Sequence, residues 1–240
     1  MSQPINFETL LGLLTKDLSI LPDKSEENPD NTLRALWHAA AGNNVSPVAA
    51  TDLALPDLTA VQLTYLNELV AQRLAGVPLA HLTERQHFLG MEYIVNKGLY
   101  IPRKETELLA STAIDTIKSG YAKADKVTLI DLCTGIGTVA LAVAHHCSNT
   151  RVFGSDIYTP AIEAALINAT HFGLAERATF FNADLFSPFE SLGLQGSVDI
   201  IVSAPPYIST AKVKHMAEEI AQHEPEEAFD DGPFGLSILN

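Results

Sequence analysis

Short apolar runs alternate with helical segments in the second half of the chain. Strands are predicted at 127–132, 151–156, 178–181 and 198–203, and helices are predicted between the first three. A helix between two strands carries the chain back across one face of the sheet, so that the strands run parallel. The sequence therefore predicts an α/β fold with a parallel sheet.

The residues before this alternation carry a purely helical pattern. Apolar residues recur three and four positions apart at 7–14 and again at 33–40, as they do along one face of a helix. A third helix is predicted to begin at Thr59, because Thr59 and Gln62 have the spacing of a capping box. These segments predict a small all-α domain at residues 1–80.

Two apolar segments join the helical part to the α/β part. Residues 88–95 and 99–101 have strand character, and Asn96-Lys97-Gly98 between them is typical of a turn. We therefore expect a β-hairpin linker at 81–103, followed by the α/β domain at 104–240.

Composition narrows the possible partners and ligands. The 15 basic and 29 acidic side chains give a net charge of −14, which disfavours binding to the phosphate backbone of a nucleic acid. The cysteines, Cys133 and Cys147, have no metal-ligand spacing around them, so no metal site is expected. The sequence shows neither a leader peptide nor a membrane-spanning apolar run. We expect a cytoplasmic protein without nucleic-acid or membrane partners.

A glycine-containing segment follows the first predicted strand and leads into a helix. Gly135 and Gly137 let the backbone approach a ligand at the edge of the sheet. Asp156 ends the next predicted strand, where a carboxylate can accept hydrogen bonds from both hydroxyl groups of a ribose. Gly135-x-Gly137-x-x-Ala140 also satisfies the dinucleotide pattern, and a tight strand-to-helix turn without a ligand has the same appearance. These residues by themselves leave the cofactor open.

The third predicted strand also ends near an acidic residue. Asp184 lies at its carboxyl end, where it is placed to meet the amino group of an adenine ring. The alternative is that Asp184 only caps the segment that begins at Leu185. The residues alone do not distinguish these two roles.

The fourth predicted strand ends in Ala204-Pro205-Pro206-Tyr207. Two consecutive prolines restrict the backbone and remove two N–H donors, which leaves carbonyl groups pointing out of a rigid turn beside an aromatic ring. A rigid slot lined by carbonyl oxygens suits a nitrogen nucleophile held in line with a sulfonium methyl group. We therefore expect these four residues to form the catalytic wall. A strand terminator with a packed tyrosine is the alternative.

These motifs occur in an order that resembles the protein glutamine-N5 methyltransferase family, which modifies release factors and, in a sister branch, a ribosomal protein. The resemblance covers nearly the whole chain. It is carried by Arg73-x-x-Gly76-Val77-Pro78-Leu79-Ala80, Phe88-x-Gly90-x-x-Tyr93, Ile101-Pro102-Arg103-Lys104-Glu105-Thr106-Glu107, the glycine loop and Glu224-Pro225-x-x-Ala228.

The resemblance implies a class I, Rossmann-like methyltransferase sheet, S-adenosyl-L-methionine as cofactor, and a helical domain that helps to recognise the substrate. It implies that the cofactor is bound by Cys133, Thr134, Gly135, Ile136, Gly137, Asp156, Asp184 and Leu185. It also places Phe88, Arg103 and Glu107 near the acceptor, and an interdomain salt bridge is the alternative role for Arg103 and Glu107. Many members have glycine at position 133, and we interpret Cys133 as a small packing residue.

The chain departs from the family at position 204. The family has Asn-Pro-Pro-Tyr, in which the asparagine accepts a hydrogen bond from the amide nitrogen that is methylated, whereas Ala204 has no such acceptor. An unpaired buried N–H costs roughly 1–3 kcal/mol, which corresponds to about ten- to more than a hundredfold in rate. We therefore expect a methyltransferase acting on nitrogen or oxygen of a small molecule, amino acid or peptide other than a release-factor glutamine. The alternatives are a true release-factor glutamine-N5 methyltransferase and an inactive scaffold that acts with a partner.

The sequence also stops before the last strands of the family's sheet. In the family topology the strand at 198–203 lies inside the sheet, so here it is expected to form an exposed apolar edge. We therefore expect a homo-oligomer or a partner subunit that covers 198–203.

Overall fold

The computed structural model describes residues 6–238. Its first part consists of the helices α1 (Phe7–Asp17), α2 (Pro29–Ala40), α3 (Pro47–Ala50), α4 (Ala60–Leu74) and α5 (Leu79–Thr83). The predicted capping box opens α4, where the Gln62 N–H donates to the Thr59 hydroxyl and the Thr59 N–H donates to Gln62 Oε1. Asn6 and Asn28 cap α1 and α2 in the same manner, because each side chain accepts a backbone N–H of the first turn.

The apolar faces of these helices pack into one core. Its largest fully buried members are Leu14, Leu33, Leu36, Leu66 and Leu79. Each leucine buried in this way contributes roughly 1.5–3 kcal/mol. The helical part therefore has a hydrophobic core of its own, which includes Leu82, and we propose it as a domain that ends just after the predicted boundary at residue 80.

The hairpin lies earlier in the chain than predicted. β1 (Arg85–Phe88) pairs antiparallel with β2 (Met91–Ile94), and the chain turns at Leu89-Gly90, where both residues have positive φ. Glycine adopts such angles without strain. The predicted turn at Asn96-Lys97-Gly98 is also present, since the Leu99 N–H donates to the Asn96 carbonyl at 3.3 Å, but the strand before it, β2, pairs with β1. The predicted strand at 99–101 is wrong, because these residues pack against the core without strand pairing in the described chain.

The second part alternates helices and strands as predicted. Its elements are α6 (Thr106–Gly120), β3 (Val127–Leu132), α7 (Thr138–His146), β4 (Thr150–Asp156), α8 (Thr159–His171), β5 (Ala178–Asn182), β6 (Ile200–Ser203), α9 (Thr210–Val213) and α10 (Glu218–Ala221). The strands form one parallel sheet in the order β5-β4-β3-β6. The predicted parallel α/β sheet is confirmed.

The core of the sheet is built around β3, in which every residue is buried. Such continuous burial is typical of a parallel strand that helices cover on both faces. α7 lies against it through buried residues that include Ala140 and Leu141. β6 forms one edge of the sheet, and Ile201 at this edge is 52% exposed. Among residues 6–238, no helix is long and apolar enough to cross a membrane.

A buried cluster of charged residues, Lys24, Glu27, Arg73 and Glu219, connects the helical part to the segment after the sheet. Arg73 in α4 donates hydrogen bonds to Glu27 and to Glu219 of α10, each at 3.0 Å. Lys24 Nζ lies 3.2 Å from a carboxylate oxygen of Glu219 and 3.6 Å from one of Glu27. Removing one member would leave an uncompensated buried charge. This ion cluster therefore ties α10 to the helical part.

Candidate active site

A cleft of about 560 Å³ opens at the carboxyl ends of the parallel strands. Its lining includes residues from the loops after β3, β4 and β5 and the segment 204–208 after β6. The chain runs outward from β3 to β4 and β5 and then returns to place β6 on the other side of β3. Open α/β sheets bind ligands at such a reversal of strand order. The structure thus brings the predicted cofactor loop and the predicted acceptor wall to one cavity.

The glycine loop borders the cleft and has an unusual backbone conformation. Cys133, Gly135 and Gly137 all have φ between 56° and 81°, the left-handed region that favours glycine. The Thr134 N–H donates to the Ser155 carbonyl at 3.0 Å, which holds the loop against β4. A Cβ atom added to Gly135 would meet no atom within 4 Å, so the backbone there borders open space.

Asp131, near the end of β3, is buried beneath this loop. Its Oδ2 accepts hydrogen bonds from the Thr134 hydroxyl at 2.7 Å and from the Ala140 N–H at 3.2 Å. Burial raises the pKa of Asp131 to about 7, although these hydrogen bonds act in the opposite direction. The carboxyl group therefore joins β3, the glycine loop and the start of α7.

Asp156 ends β4 and lines the cleft. One carboxylate oxygen accepts the Gly135 N–H at 2.8 Å and the other accepts the Tyr158 N–H at 2.9 Å. Burial raises the pKa of Asp156, and these backbone hydrogen bonds oppose the rise. Each oxygen can accept a further hydrogen bond. The predicted contact with two ribose hydroxyls is compatible with this geometry and stays a prediction.

The segment after β5 completes the side of the cleft that contains the glycine loop. The Ser155 hydroxyl donates to the Leu185 carbonyl at 2.7 Å, and Leu185 has a positive φ of 40°. This turn places Asp184 and Leu185 in the lining, beside the exposed side chain of Ile157. Apolar and acidic groups thus lie together where the resemblance implies an adenine ring.

Cys133 lines the cleft, but its thiol is not suited to nucleophilic attack. Burial, together with the charges of nearby acidic groups, raises the pKa of Cys133 to about 12. Because the thiolate is the reactive form, the protonated side chain is inert at neutral pH. This environment fits a small packing residue.

Ala204, Pro205, Pro206 and Tyr207 form the opposite wall, and the Tyr207 side chain is 71% exposed. The next residue, Ile208, donates its N–H to the Phe229 carbonyl and accepts the Asp231 N–H, each at 3.0 Å. A Cβ atom added to Gly235 would lie 2.5 Å from the Tyr207 carbonyl oxygen, so only glycine permits this approach. The segment 229–235 therefore supports the acceptor wall.

Arg103 lies in the cleft lining and is 5% exposed. It forms an ion pair with Glu224 and stacks on the Tyr100 ring, with the guanidinium carbon 5.1 Å from the ring centre. Burial lowers the pKa of Arg103, but Glu224, Tyr100 and Asp23 together outweigh this effect and raise it overall. Arg103 therefore stays charged beside the acceptor wall.

Three predicted site residues lie outside the cleft lining. Phe88 packs in the hydrophobic core, where its ring meets Tyr93 edge to face, because β1 turns it inward. Glu107 accepts the Leu89 N–H at 3.0 Å and so supports the hairpin turn. Gly137 faces the interior, since an added Cβ would lie 2.9 Å from the Leu141 side chain. These contacts give each residue a structural role.

The cleft also contains residues that the sequence did not reveal. Asp23 enters from the helical part, and Tyr100 and Asp231 enter from segments without regular secondary structure. Proximity to the Ile101-Pro102-Arg103 motif was a signal for Tyr100, and Asp231 ends an acidic run at 218–231 that is typical of a solvated face or of a preference for a cationic acceptor. Asp23 belongs to no motif that we recognised. Within residues 6–238, no group of three or more His, Cys, Asp or Glu side chains is placed to hold a metal ion.

A sequence profile of the methyltransferase small domain matches residues 106–235, which is more than half of the chain. The chain belongs to the methyltransferase small domain family. This assignment confirms the predicted class of α/β fold and S-adenosyl-L-methionine as the cofactor. The glycine backbone at the cleft, the strand-end carboxylate of Asp156 and the apolar side chains of Ile157 and Leu185 fit this cofactor.

Among curated proteins, this methyltransferase-family chain is similar to release factor glutamine methyltransferases. Those of Nitratidesulfovibrio vulgaris and Bacillus subtilis are each 35% identical to it, over 170 and 163 residues. The alignments cover 71% and 68% of this chain and 55% of each relative. The chain therefore spans just over half the length of these relatives. The predicted resemblance to the glutamine methyltransferases is confirmed.

Solved structures that resemble part of the chain include a SAM-dependent methyltransferase from Agrobacterium tumefaciens. It has a TM-score of 0.41 and 19% identity, covering 52% of this chain and 40% of that protein. An RNA methyltransferase from Salinibacter ruber, solved with S-adenosyl-L-homocysteine, has a TM-score of 0.33 and 17% identity over 45% of this chain and 63% of that one.

Proposed function

We propose that this protein transfers a methyl group from S-adenosyl-L-methionine to the side-chain amide nitrogen of a glutamine in a release factor. The observation that carries the proposal is the single cleft that joins the glycine loop to the Pro-Pro-Tyr wall. The names of its relatives support glutamine as the acceptor. This proposal replaces our first expectation of a different acceptor.

Different residues are proposed to bind the cofactor and the acceptor at the two ends of the cleft. We propose that Cys133, Thr134, Gly135, Ile136, Asp156, Asp184 and Leu185 hold the cofactor, which supplies an electrophilic methyl group when it is bound. Pro205 and Pro206 hold the acceptor nitrogen in line with that group. Positioning of this kind can supply about 7–11 kcal/mol of a reaction barrier.

Ala204 favours a second candidate, in which the acceptor is a small molecule, an amino acid or a peptide. Its methyl side chain cannot accept a hydrogen bond from an amide nitrogen. An amine or hydroxyl acceptor has no need of that hydrogen bond. The two candidate functions predict different methyl-transfer activities for the variant Ala204→Asn.

The test compares wild-type protein with Ala204→Asn in transfer of a labelled methyl group to a bacterial release factor. If a glutamine amide is the acceptor, the new side chain pairs the N–H, and kcat should rise about ten- to a hundredfold. A release factor with glutamate in place of the modified glutamine, located by mass spectrometry, is the control acceptor. Unchanged or lower activity in Ala204→Asn contradicts the proposal and favours the second candidate.

Calorimetry tests the alternative that the protein is a scaffold without catalytic activity. The proposal requires that S-adenosyl-L-methionine bind the wild-type protein, and Asp156→Asn should weaken that binding.

We also propose that a further polypeptide covers the apolar edge at Ile201, which is 52% exposed. A second copy of the chain or another subunit would appear as a larger species in analytical ultracentrifugation. The predicted cytoplasmic location stays a prediction.

A further inference from the structure

Two buried polar atoms in the cleft lining have no hydrogen-bond partner among residues 6–238. They are Arg103 Nη1, a donor, and Asp231 Oδ2, an acceptor. Arg103 is 5% exposed and Asp231 is 4% exposed. Buried donors and acceptors are nearly always paired in folded proteins, so two unpaired atoms of opposite kind in one cleft point to a bound group.

Asp231 is held firmly beside the acceptor wall. Its N–H donates to the Ile208 carbonyl at 3.0 Å, immediately after the Pro-Pro-Tyr turn. Its other carboxylate oxygen, Oδ1, accepts the Ile238 N–H at 3.0 Å. These contacts fix the side chain and leave Oδ2 to accept from a ligand.

The side chain of Arg103 is held as firmly as that of Asp231. Its Nη2 donates to Glu224, whose second oxygen accepts the Ile101 N–H at 3.0 Å. The guanidinium plane lies over the Tyr100 ring. Because the group is charged and planar, Nη1 presents N–H donors in a fixed direction.

We propose that Asp231 and Arg103 together bind the side-chain amide of the acceptor. The Asp231 carboxylate accepts a hydrogen bond from the amide N–H, and Arg103 donates one to the amide carbonyl. A protonated amine has no acceptor for Arg103 and a carboxylate has no donor for Asp231, whereas an amide presents the donor and the acceptor on separate atoms. The inference rests on the proposed function and names the residues that select its substrate.

This pair also accounts for the alanine at position 204. A carboxylate oxygen is at least as good an acceptor as the amide oxygen of asparagine, because hydrogen bonds to charged groups are the stronger ones. Asp231 thus accepts from one of the two N–H groups of the acceptor amide in place of the family's asparagine, and the new side chain of Ala204→Asn would accept from the other.

The experiment uses Asp231→Asn in the full chain. In that variant the asparagine oxygen keeps the hydrogen bond with Ile238, and an NH₂ donor replaces Oδ2 opposite the amide N–H. We expect kcat/KM for the glutamine acceptor to fall about ten- to a hundredfold. Binding of the release factor to the protein loaded with S-adenosylhomocysteine should weaken as well. Asp231→Ala removes the acceptor without adding a donor and should show the same direction.

Glu226→Gln is the matched control, because it removes the same charge five residues away on an exposed side chain outside the cleft lining. Titration with S-adenosylhomocysteine shows that each variant retains the folded cofactor site. The double variant Ala204→Asn, Asp231→Asn should recover most of the lost activity, since the asparagine at 204 restores the acceptor.

The outcomes separate the inference from the proposed function. If the wild type methylates glutamine and Asp231→Asn behaves like Glu226→Gln, the inference is overturned and the proposed function stands. If the wild type methylates no glutamine, the proposed function fails and the inference fails with it. Loss in Asp231→Asn with recovery in the double variant supports both.

Discussion

Asp131 shows how one buried side chain can set the properties of the cofactor loop. It is enclosed beneath the loop and accepts hydrogen bonds from Thr134 and Ala140 on a single oxygen. Two donors favour the carboxylate, but removal from water disfavours it more, so the net effect is a raised pKa. The stability of the loop region should therefore depend on pH.

The stability of the wild type is expected to fall as the pH rises from about 4 to 7 because of Asp131. Its pKa is about 7 in the folded protein and 3.8 as the ordinary value, so the unfolded chain loses this proton first. Integrated over that window, the loss amounts to roughly 4 kcal/mol. The asparagine oxygen in Asp131→Asn still accepts both hydrogen bonds but does not titrate. The free energy of unfolding in urea, measured at pH 5 and pH 7.5, should therefore change less with pH in this variant than in the wild type.

Asp115→Asn is the control for that measurement, because Asp115 is exposed on α6. Its substitution should leave the pH dependence of the unfolding free energy as it is in the wild type. An Asp131→Asn protein with the wild-type pH dependence would contradict the expected effect of burial.

Ion pairs hold the short helix α10 in place. It spans only Glu218–Ala221, too short to be stable alone, yet Ile220 beside Glu219 lines the cleft. Glu219 holds it through the ion cluster with Lys24 and Arg73. Arg73 of α4 thus holds the short helix that brings Ile220 to the cleft.

Glu219→Gln should loosen α10 while leaving the cofactor loop in place. We expect KM for the acceptor to rise about two- to thirtyfold, which corresponds to roughly 0.5–2 kcal/mol of coupling. The affinity for S-adenosylhomocysteine should stay within twofold of wild type, and amide hydrogen exchange should speed up in α10. Glu218→Gln, an exposed neighbour on the same helix, is the control. Equal effects of the two variants would show that the ion cluster has no such role.

Residues 6–238 contain two large hydrophobic cores and a smaller third one. One lies among the helices and includes Leu36, and the other surrounds the sheet and includes Leu141. Both leucines are fully buried, so each is a matched probe of its own core. The ion cluster joins the two parts through polar contacts. The proposed domain division therefore has a direct test.

Leu36→Ala is expected to destabilise the helical part by roughly 2–5 kcal/mol, because it leaves a cavity in that core. The sheet and its cofactor site should survive, so calorimetry should show an earlier first transition while S-adenosylhomocysteine still binds. Leu141→Ala, which opens a cavity beside the glycine loop, should instead abolish most of that binding. A single shared transition in both variants would show that the chain unfolds as one unit.

Periodic patterns predicted the regular elements well. The strand at 127–132 was located at its observed bounds and the capping box at Thr59 has both predicted hydrogen bonds, since each depends on neighbours along the chain. The hairpin was misplaced because Leu89 adopts a positive φ that its residue type does not suggest. Turns of this kind depend on pairing between strands, which a local pattern does not contain.

The sequence by itself determined the parallel sheet, the glycine loop, Asp156 and the Pro-Pro-Tyr wall, because these follow from local spacing and from the order of motifs. Only the tertiary structure decided which other side chains reach the cleft. Asp231 meets the wall through a pairing with Ile208, and Arg103 is oriented by Glu224, residues that are far apart along the chain. Unpaired buried atoms can be recognised only when every neighbour is in place, which is why the proposed amide site was invisible in the sequence.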